Sequence, residues 1–218
     1  MTEPPARHPR PVERVDASPK ISSHAHYVDQ VFRDAQLKHG EIVSSEFHDC
    51  VFFHSSFAHS VFRRCRFVSC VFRECELSVL QVPQCRFTQS RFEKSKVIGV
   101  NWSEADWPQT GLANPIGFVN CAISHSTFMG LILPRMEARD CVALDVDFRE
   151  ADLSKADFAG TDLSQSLFGN TNLSEADLSR ARNYHIDPGQ NTLKQAKFSL
   201  PEAMSLLYRL DIILVVDD

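Results

Sequence analysis

Large apolar residues recur at every fifth position through most of this 218-residue chain, a period that suits neither a 3.6-residue helix nor a two-residue strand. The register starts at Phe32, Leu37, Ile42, Phe47, Phe52, Phe57, Phe62, Phe67 and Phe72, and runs on through Trp102 and Trp107 to Leu112. After one inserted residue it resumes at Phe118 and passes weak Ala138 and Ala143 to reach Leu178. It breaks at Asn183 and Pro188, then returns in phase at Leu193 and Phe198, so the irregular stretch fills the length of two units. Two positions before most centres sits a small residue such as Cys50, Ser55, Cys65, Ala151 or Ala176. Each unit therefore offers one inward pair and three outward side chains, which is the pattern of a solenoid and not of a domain with one compact core.

Residues twenty apart should stack if four units make a turn. Phe32, Phe52, Phe72 and Phe92 form one such ladder, Phe47, Phe67, Phe87 and Trp107 a second, and Phe128, Phe148 and Phe168 a third. The units Ala151-Asp152-Leu153 and Ala156-Asp157-Phe158 resemble those of the pentapeptide-repeat family over about residues 30 to 198. The resemblance implies an all-β solenoid, a right-handed quadrilateral β-helix, here with a short C-terminal α-helix and a tail strand. The expected segments are a disordered Pro-rich leader (1–28), a first repeat segment (29–112), a one-residue insertion (113–117), a second repeat segment (118–198, irregular over 183–192) and a capping and dimerisation tail (199–218). At about 4.8 Å per coil the rod should be roughly 40 Å long, with an interior too full for a pocket or a cofactor.

All seven cysteines occupy the small inward position, where a thiol is a compact apolar filler, and none forms a Cys-x-x-Cys pair. Free thiols suit a reducing, cytoplasmic setting. His39 and His59 lie one turn apart without a carboxylate pair, and His24 and His26 fall in the leader, so all four read as surface histidines and no metal site is expected. No apolar run reaches the eighteen or more residues of a membrane helix, and the leader lacks the apolar region of a signal peptide.

The C-terminal end reads as a cap. Ser199 as N-cap, Pro201 in the first turn and Glu202 closing a capping box would start a helix of about eleven residues. Ala203, Leu206, Leu207 and Leu210 form its apolar face. Ile212, Ile213 and Leu214 continue as a β-prone tail that would pair with a second copy, giving a two-fold dimer.

The stretch from Asn183 to Pro188 and the run from Leu193 through Asp211 to Ile212 look like the ending of the gyrase-protecting pentapeptide-repeat proteins, above all of their albicidin-resistance members. That resemblance implies a homodimeric DNA mimic that binds type II topoisomerase (DNA gyrase), relieves its poisons, and carries no catalytic residue. Quinolone-resistance relatives have projecting loops, which a one-residue insertion would not supply. Residues 1–112 hold 14 Lys plus Arg against 13 Asp plus Glu, and residues 113–218 hold 9 against 15. The acid gathers in the second half, with Asp145, Asp147, Asp152, Asp157, Asp162 and Asp177 as the candidate partner-binding face. B-DNA carries a charge about every 1.7 Å, so this half of the rod would match about 12–15 phosphates. Its net of −6 is less than half of that. Direct nucleic-acid binding is disfavoured by the negative net charge, since Arg63, Arg64, Arg66 and Arg73 make only a small basic patch. Two readings compete with gyrase protection. One is an interaction scaffold unrelated to topoisomerase; the other, a glycan-cleaving β-helix enzyme, is disfavoured because the carboxylates would line a convex surface without a cleft. For the aspartates singly, the bland alternative is that they form turns.

Overall fold

The computed structural model describes residues 20–37, 39–108, 116–210 and 212. Within them lie fourteen short strands: β1 (His26–Val28), β2 (Val31–Arg33), β3 (Glu41–Val43), β4 (Glu46–His48), β5 (Val51–Phe53), β6 (Val61–Arg63), β7 (Arg66–Val68), β8 (Val71–Arg73), β9 (Arg86–Thr88), β10 (Ser90–Glu93), β11 (Ile116–Val119), β12 (Glu137–Arg139), β13 (Asp177–Leu178) and β14 (Lys197–Phe198). Every pairing is parallel and joins one coil to the next, in the orders β1-β4-β7-β9, β2-β5-β8-β10-β11-β12, β3-β6 and β13-β14. The result is an all-β solenoid of about eight turns.

The Phe ladders fill its axis. Rings of Phe32, Phe52, Phe72 and Phe92 stack at 4.9, 4.5 and 4.7 Å, and Phe128, Phe148 and Phe168 at 5.4 and 5.3 Å. Such offset contacts add to what ring burial alone contributes. Two corrections to the expected register follow from the pairing. The first coil begins inside the stretch read as a leader, since β1 pairs with β4 and Tyr27 stacks on Phe47 at 5.1 Å. Residues 1–19 lie outside the described residues.

The second correction concerns the insertion. Phe92 pairs not with a residue twenty further on but with Phe118, and Ser90 pairs with Ile116, so this coil is 26 residues long. Six residues are therefore extra, where a one-residue insertion was expected, and the centre expected at Leu112 lies outside the described residues. Trp107 still stacks on Phe87 at 6.1 Å and donates its Nε1–H to Trp102 O at 2.8 Å. The surplus falls between Trp107 and Ile116, and residues 109–115 lie outside the described residues. Beyond it the old ladders continue, Phe92 to Phe118 at 5.2 Å and Trp102 to Phe128 at 6.0 Å.

At the corners, two residues after most centres, the backbone takes positive φ, as at Asp34 (52°), His54 (51°) and Asp145 (55°). Asp, Asn and His tolerate that conformation better than most L-residues. Val79, at φ 56°, is the misfit, because β-branching makes the left-handed region costly.

The small inward position has a second task. Where a unit ends in a β-turn, the next small residue's N–H bonds to the preceding centre, as Ala156 N to Leu153 O and Ala176 N to Leu173 O at 3.0 Å. After several of the three-residue strand units that bond is missing and the N–H finds a side chain one coil further along: Ala35 N on Ser55 Oγ (3.1 Å), Cys75 N on Ser95 Oγ (2.9 Å), Cys65 N on Cys85 Sγ (3.4 Å). A buried N–H must be paired, so the coil ahead of such a strand unit supplies a Ser or Cys at the matching small position, while Ala suffices where a turn has already closed the bond. The same hydroxyls and thiols donate back to a carbonyl, as Ser95 Oγ to Phe72 O and Cys70 Sγ to Phe47 O. All seven cysteines are buried and free. Burial pushes the Cys70 thiol up to about 12, and those of Cys75 and Cys121 up to about 11, so they stay protonated.

The C-terminal cap differs from its expected form. The helix α1 spans only Met204–Leu207, and no side chain caps it. Ser199 and Glu202 serve the last coil instead: Arg180 N donates to Ser199 Oγ (3.0 Å) and Asn183 N to Glu202 Oε1 (2.6 Å). Fully buried Tyr184 meets Phe198 at 5.6 Å and fills the irregular stretch in place of a regular centre. Among the described residues no helix is long and apolar enough to cross a membrane.

Candidate functional site

The candidate acidic residues do not form one patch. Asp147, Asp152, Asp157 and Asp162 bridge to Thr127, Ile132, Glu137 and Val142 of the coil before, and so sit on four successive sides of the rod. One column does hold three carboxylates in sequence, Glu137, Asp157 and Asp177, with Lys197 next. Asp145 stands apart at a left-handed corner, where its Oδ2 lies 3.2 Å from His125 Nδ1.

Each of the others has one oxygen committed to its own turn. Oδ1 accepts the backbone N–H two residues on: Ser154 for Asp152, Ala159 for Asp157, Ser164 for Asp162, Ser179 for Asp177 and Arg149 for Asp147, all at 2.9–3.1 Å. Asp in these units is thus a turn former in the first place. The second oxygen usually meets a cation, Arg149 for Asp147 (2.7 Å), Arg182 for Asp162 (3.1 Å), Arg139 for Asp157 (3.4 Å) and Lys197 for Asp177 (3.5 Å). Partial burial would raise the Asp162 carboxyl, but hydrogen bonds from Asn183, Ser164 and Arg182 outweigh it and hold the group down at about 2. Asp177 is lowered in the same way, burial being outweighed by Ser179 and Lys197. The Arg149 side chain beside Asp147 lowers that carboxyl too.

At the C-terminal end Leu206 packs on the core of its own chain, whereas Leu200, Met204, Tyr208, Leu210 and Ile212 are exposed. Ala203 and Leu207 are half-buried. Ile213 and Leu214 lie outside the described residues.

An open groove of about 560 Å³ runs beside the long coil, lined by Arg91, Ile116, Gly117, Arg135, Glu137 and Asp157 among others. It was not expected, and its cause is Gly117. With no side chain on that rung, Arg91 reaches across to Glu137, Nη1 to Oε2 at 2.7 Å and Nη2 to Oε1 at 3.2 Å.

A third cluster also escaped the sequence reading, which placed His26 in the leader. His26 is in register with Glu46, and His48 follows two residues on, on the same outward side. Glu46 Oε2 lies 3.5 Å from His26 Nδ1 and 3.5 Å from His48 Nε2, and the three ligand atoms fall within 4.8 Å of one another. Spacings of twenty and two were legible in the sequence, but they acquire meaning only once the first coil is known to include His26. The expected pair, His39 and His59, stacks at 5.3 Å with planes 19° apart.

A sequence profile described as a pentapeptide repeat region matches residues 45–115, and one of pentapeptide repeats (8 copies) matches 139–170 and 147–182. Together they cover more than half of the chain. Three solved structures of QnrB1, described as a plasmid-mediated fluoroquinolone resistance protein, are similar in fold. One trypsin-treated variant superimposes with a TM-score of 0.66 at 17% identity, over 87% of this chain and 99% of that one. A second gives 0.58 at 15%, over 87% and 100%, and the full-length form 0.50 at 17%, over 88% and 100%. No curated protein sequence matches.

Proposed function

From the premise that this chain belongs to the pentapeptide-repeat proteins, we propose that it imitates duplex DNA on a type II topoisomerase, DNA gyrase, and protects that enzyme from poisons of the albicidin class. The observation that carries the reading is the column Glu137–Asp157–Asp177 on the solenoid, in the half whose charge totals −6. Its ion pairs leave a field weaker than that of DNA, which attracts a basic saddle and speeds encounter without matching DNA's affinity. A protector must be displaced when DNA arrives, so weak imitation suits the task. The exposed Leu200, Tyr208, Leu210 and Ile212 support dimerisation through the C-terminal ends. Leu206 contributes by seating the cap, because it packs on its own chain.

The six extra residues between Trp107 and Ile116 favour a second reading, protection against fluoroquinolones. A coil of 26 residues has room for a projecting loop, which removes the reason for setting quinolones aside. A supercoiling assay with purified gyrase tests both. Protection against albicidin, against a fluoroquinolone, or against both assigns the poison; no rescue in either arm refutes gyrase protection and leaves an interaction scaffold. Because Oδ1 makes the turn bond, Asp157→Asn with Asp177→Asn removes charge and retains the turn. Gyrase binding at low salt should weaken several-fold in this pair, and unchanged binding would reduce both residues to turn formers.

A further inference from the structure

We propose that His26, Glu46 and His48 form a zinc-binding site on the first two coils, separate from the surface assigned to gyrase. Zinc bonds of about 2.0–2.1 Å at tetrahedral angles place neighbouring ligand atoms about 3.4 Å apart. Glu46 Oε2 stands 3.5 Å from both histidine nitrogens. That separation is too long for a good hydrogen bond. The same chain shows what a direct contact looks like, for His54 Nε2 approaches Glu74 Oε2 to 2.6 Å. The two imidazoles of the cluster are tilted by 45° with centroids 5.2 Å apart, so they do not stack on each other as His39 and His59 do. Their nitrogens instead converge on one carboxylate oxygen.

The donor set is chemically apt. Two imidazoles and one carboxylate are zinc ligands, and three protein ligands leave one position for water. Parallel strands in register supply the geometry without any loop: β1 brings His26 beside Glu46, and alternation along β4 puts His48 on the same side. Among the described residues no Lys or Arg pairs with Glu46, although Arg66 is next in its column and Val28 and Val68 flank His48. Because β1 is the edge of its sheet among the described residues, an ion held there ties that strand to its neighbour.

The tag-free full chain, stripped with a chelator, is titrated with zinc chloride by calorimetry at about pH 7.5 and again at about pH 5.5, because protons compete with metal for such ligands. One zinc per chain is expected at the higher pH, with clearly weaker binding at the lower. His26→Ala and His48→Ala should each weaken binding by about tenfold or more, while His39→Ala with His59→Ala should change nothing. Cobalt in place of zinc should give a spectrum without thiolate charge transfer, and amide exchange over residues 26–28 should slow when metal is present. No heat of binding, unchanged binding in His26→Ala with His48→Ala, a thiolate band, or unchanged exchange in β1 would each overturn the site.

Discussion

The two halves of the rod keep the same five-residue period and build it from different parts. Before the long coil the centres are mostly Phe, the small residues Cys or Ser, and the units three-residue strands. After it the centres are mostly Leu and Phe, the small position is mixed, with Ala151, Ala156, Ala176 and Ala181 beside Cys, Ser and Thr, and most units are single bridges closed by a β-turn. Asp makes the difference. Its Oδ1 captures the N–H two residues on, tightens the corner, and lets the next N–H close on the centre. In the first half Glu76 and Asn101 make the equivalent bond, but several buried N–H groups after strand units meet hydroxyls and thiols from the coil ahead. A local turn chemistry thus determines both the choice of inward residue and the place where acid accumulates.

The largest test compares the ladders. Phe52→Ala should cost about 3–5 kcal/mol and Leu153→Ala about 2–5, since both are wholly buried and the larger ring leaves the larger void. Denaturant unfolding that shows Leu153→Ala to be the more damaging would break the ranking of the halves. Ser95→Ala should cost about 1–3 kcal/mol, because it orphans the N–H of Cys75. An effect near zero would show that the side-chain link between coils is dispensable.

Val79→Asn should raise stability by about 1 kcal/mol, by placing a tolerant residue at a left-handed corner; thermal unfolding reads the gain, and a lower midpoint contradicts it. The most narrowly conditioned effect is confined to acid. Asp162 is lowered to about 2 in the fold against an ordinary value near 3.9. Its stabilising contribution is fully present above about pH 4 and fades as pH falls through about 2. Asp162→Asn should flatten the stability profile in that window, and an unaltered profile would assign the acid response to other carboxylates.

Much of this was legible beforehand, and the failures share a cause. Stacking of Phe52 on Phe72 follows from periodicity, because a five-residue unit with one inward pair can only wind. The ends and the break were misread. β1 carries Tyr27 at the centre, one aromatic among polar neighbours, too weak a local signal to extend the register. The five-residue phase ran unbroken to Leu112 and hid the long coil, since nothing within five residues reveals that Phe92 pairs with Phe118 and not with a residue twenty away. Ser199 and Glu202 looked like a capping box, and their oxygens went to Arg180 and Asn183, donors almost a full coil earlier.

By itself the order of residues determined the solenoid, its inward pairs and its acid-rich second half, because side-chain size and charge at a fixed period need no knowledge of what lies across the rod. Only the tertiary structure decided the 26-residue coil, the destination of the Ser199 and Glu202 oxygens, and the meeting of His26 with Glu46 and His48. Those depend on which coil lies against which, and parallel pairing between coils is settled by contacts twenty or more residues apart.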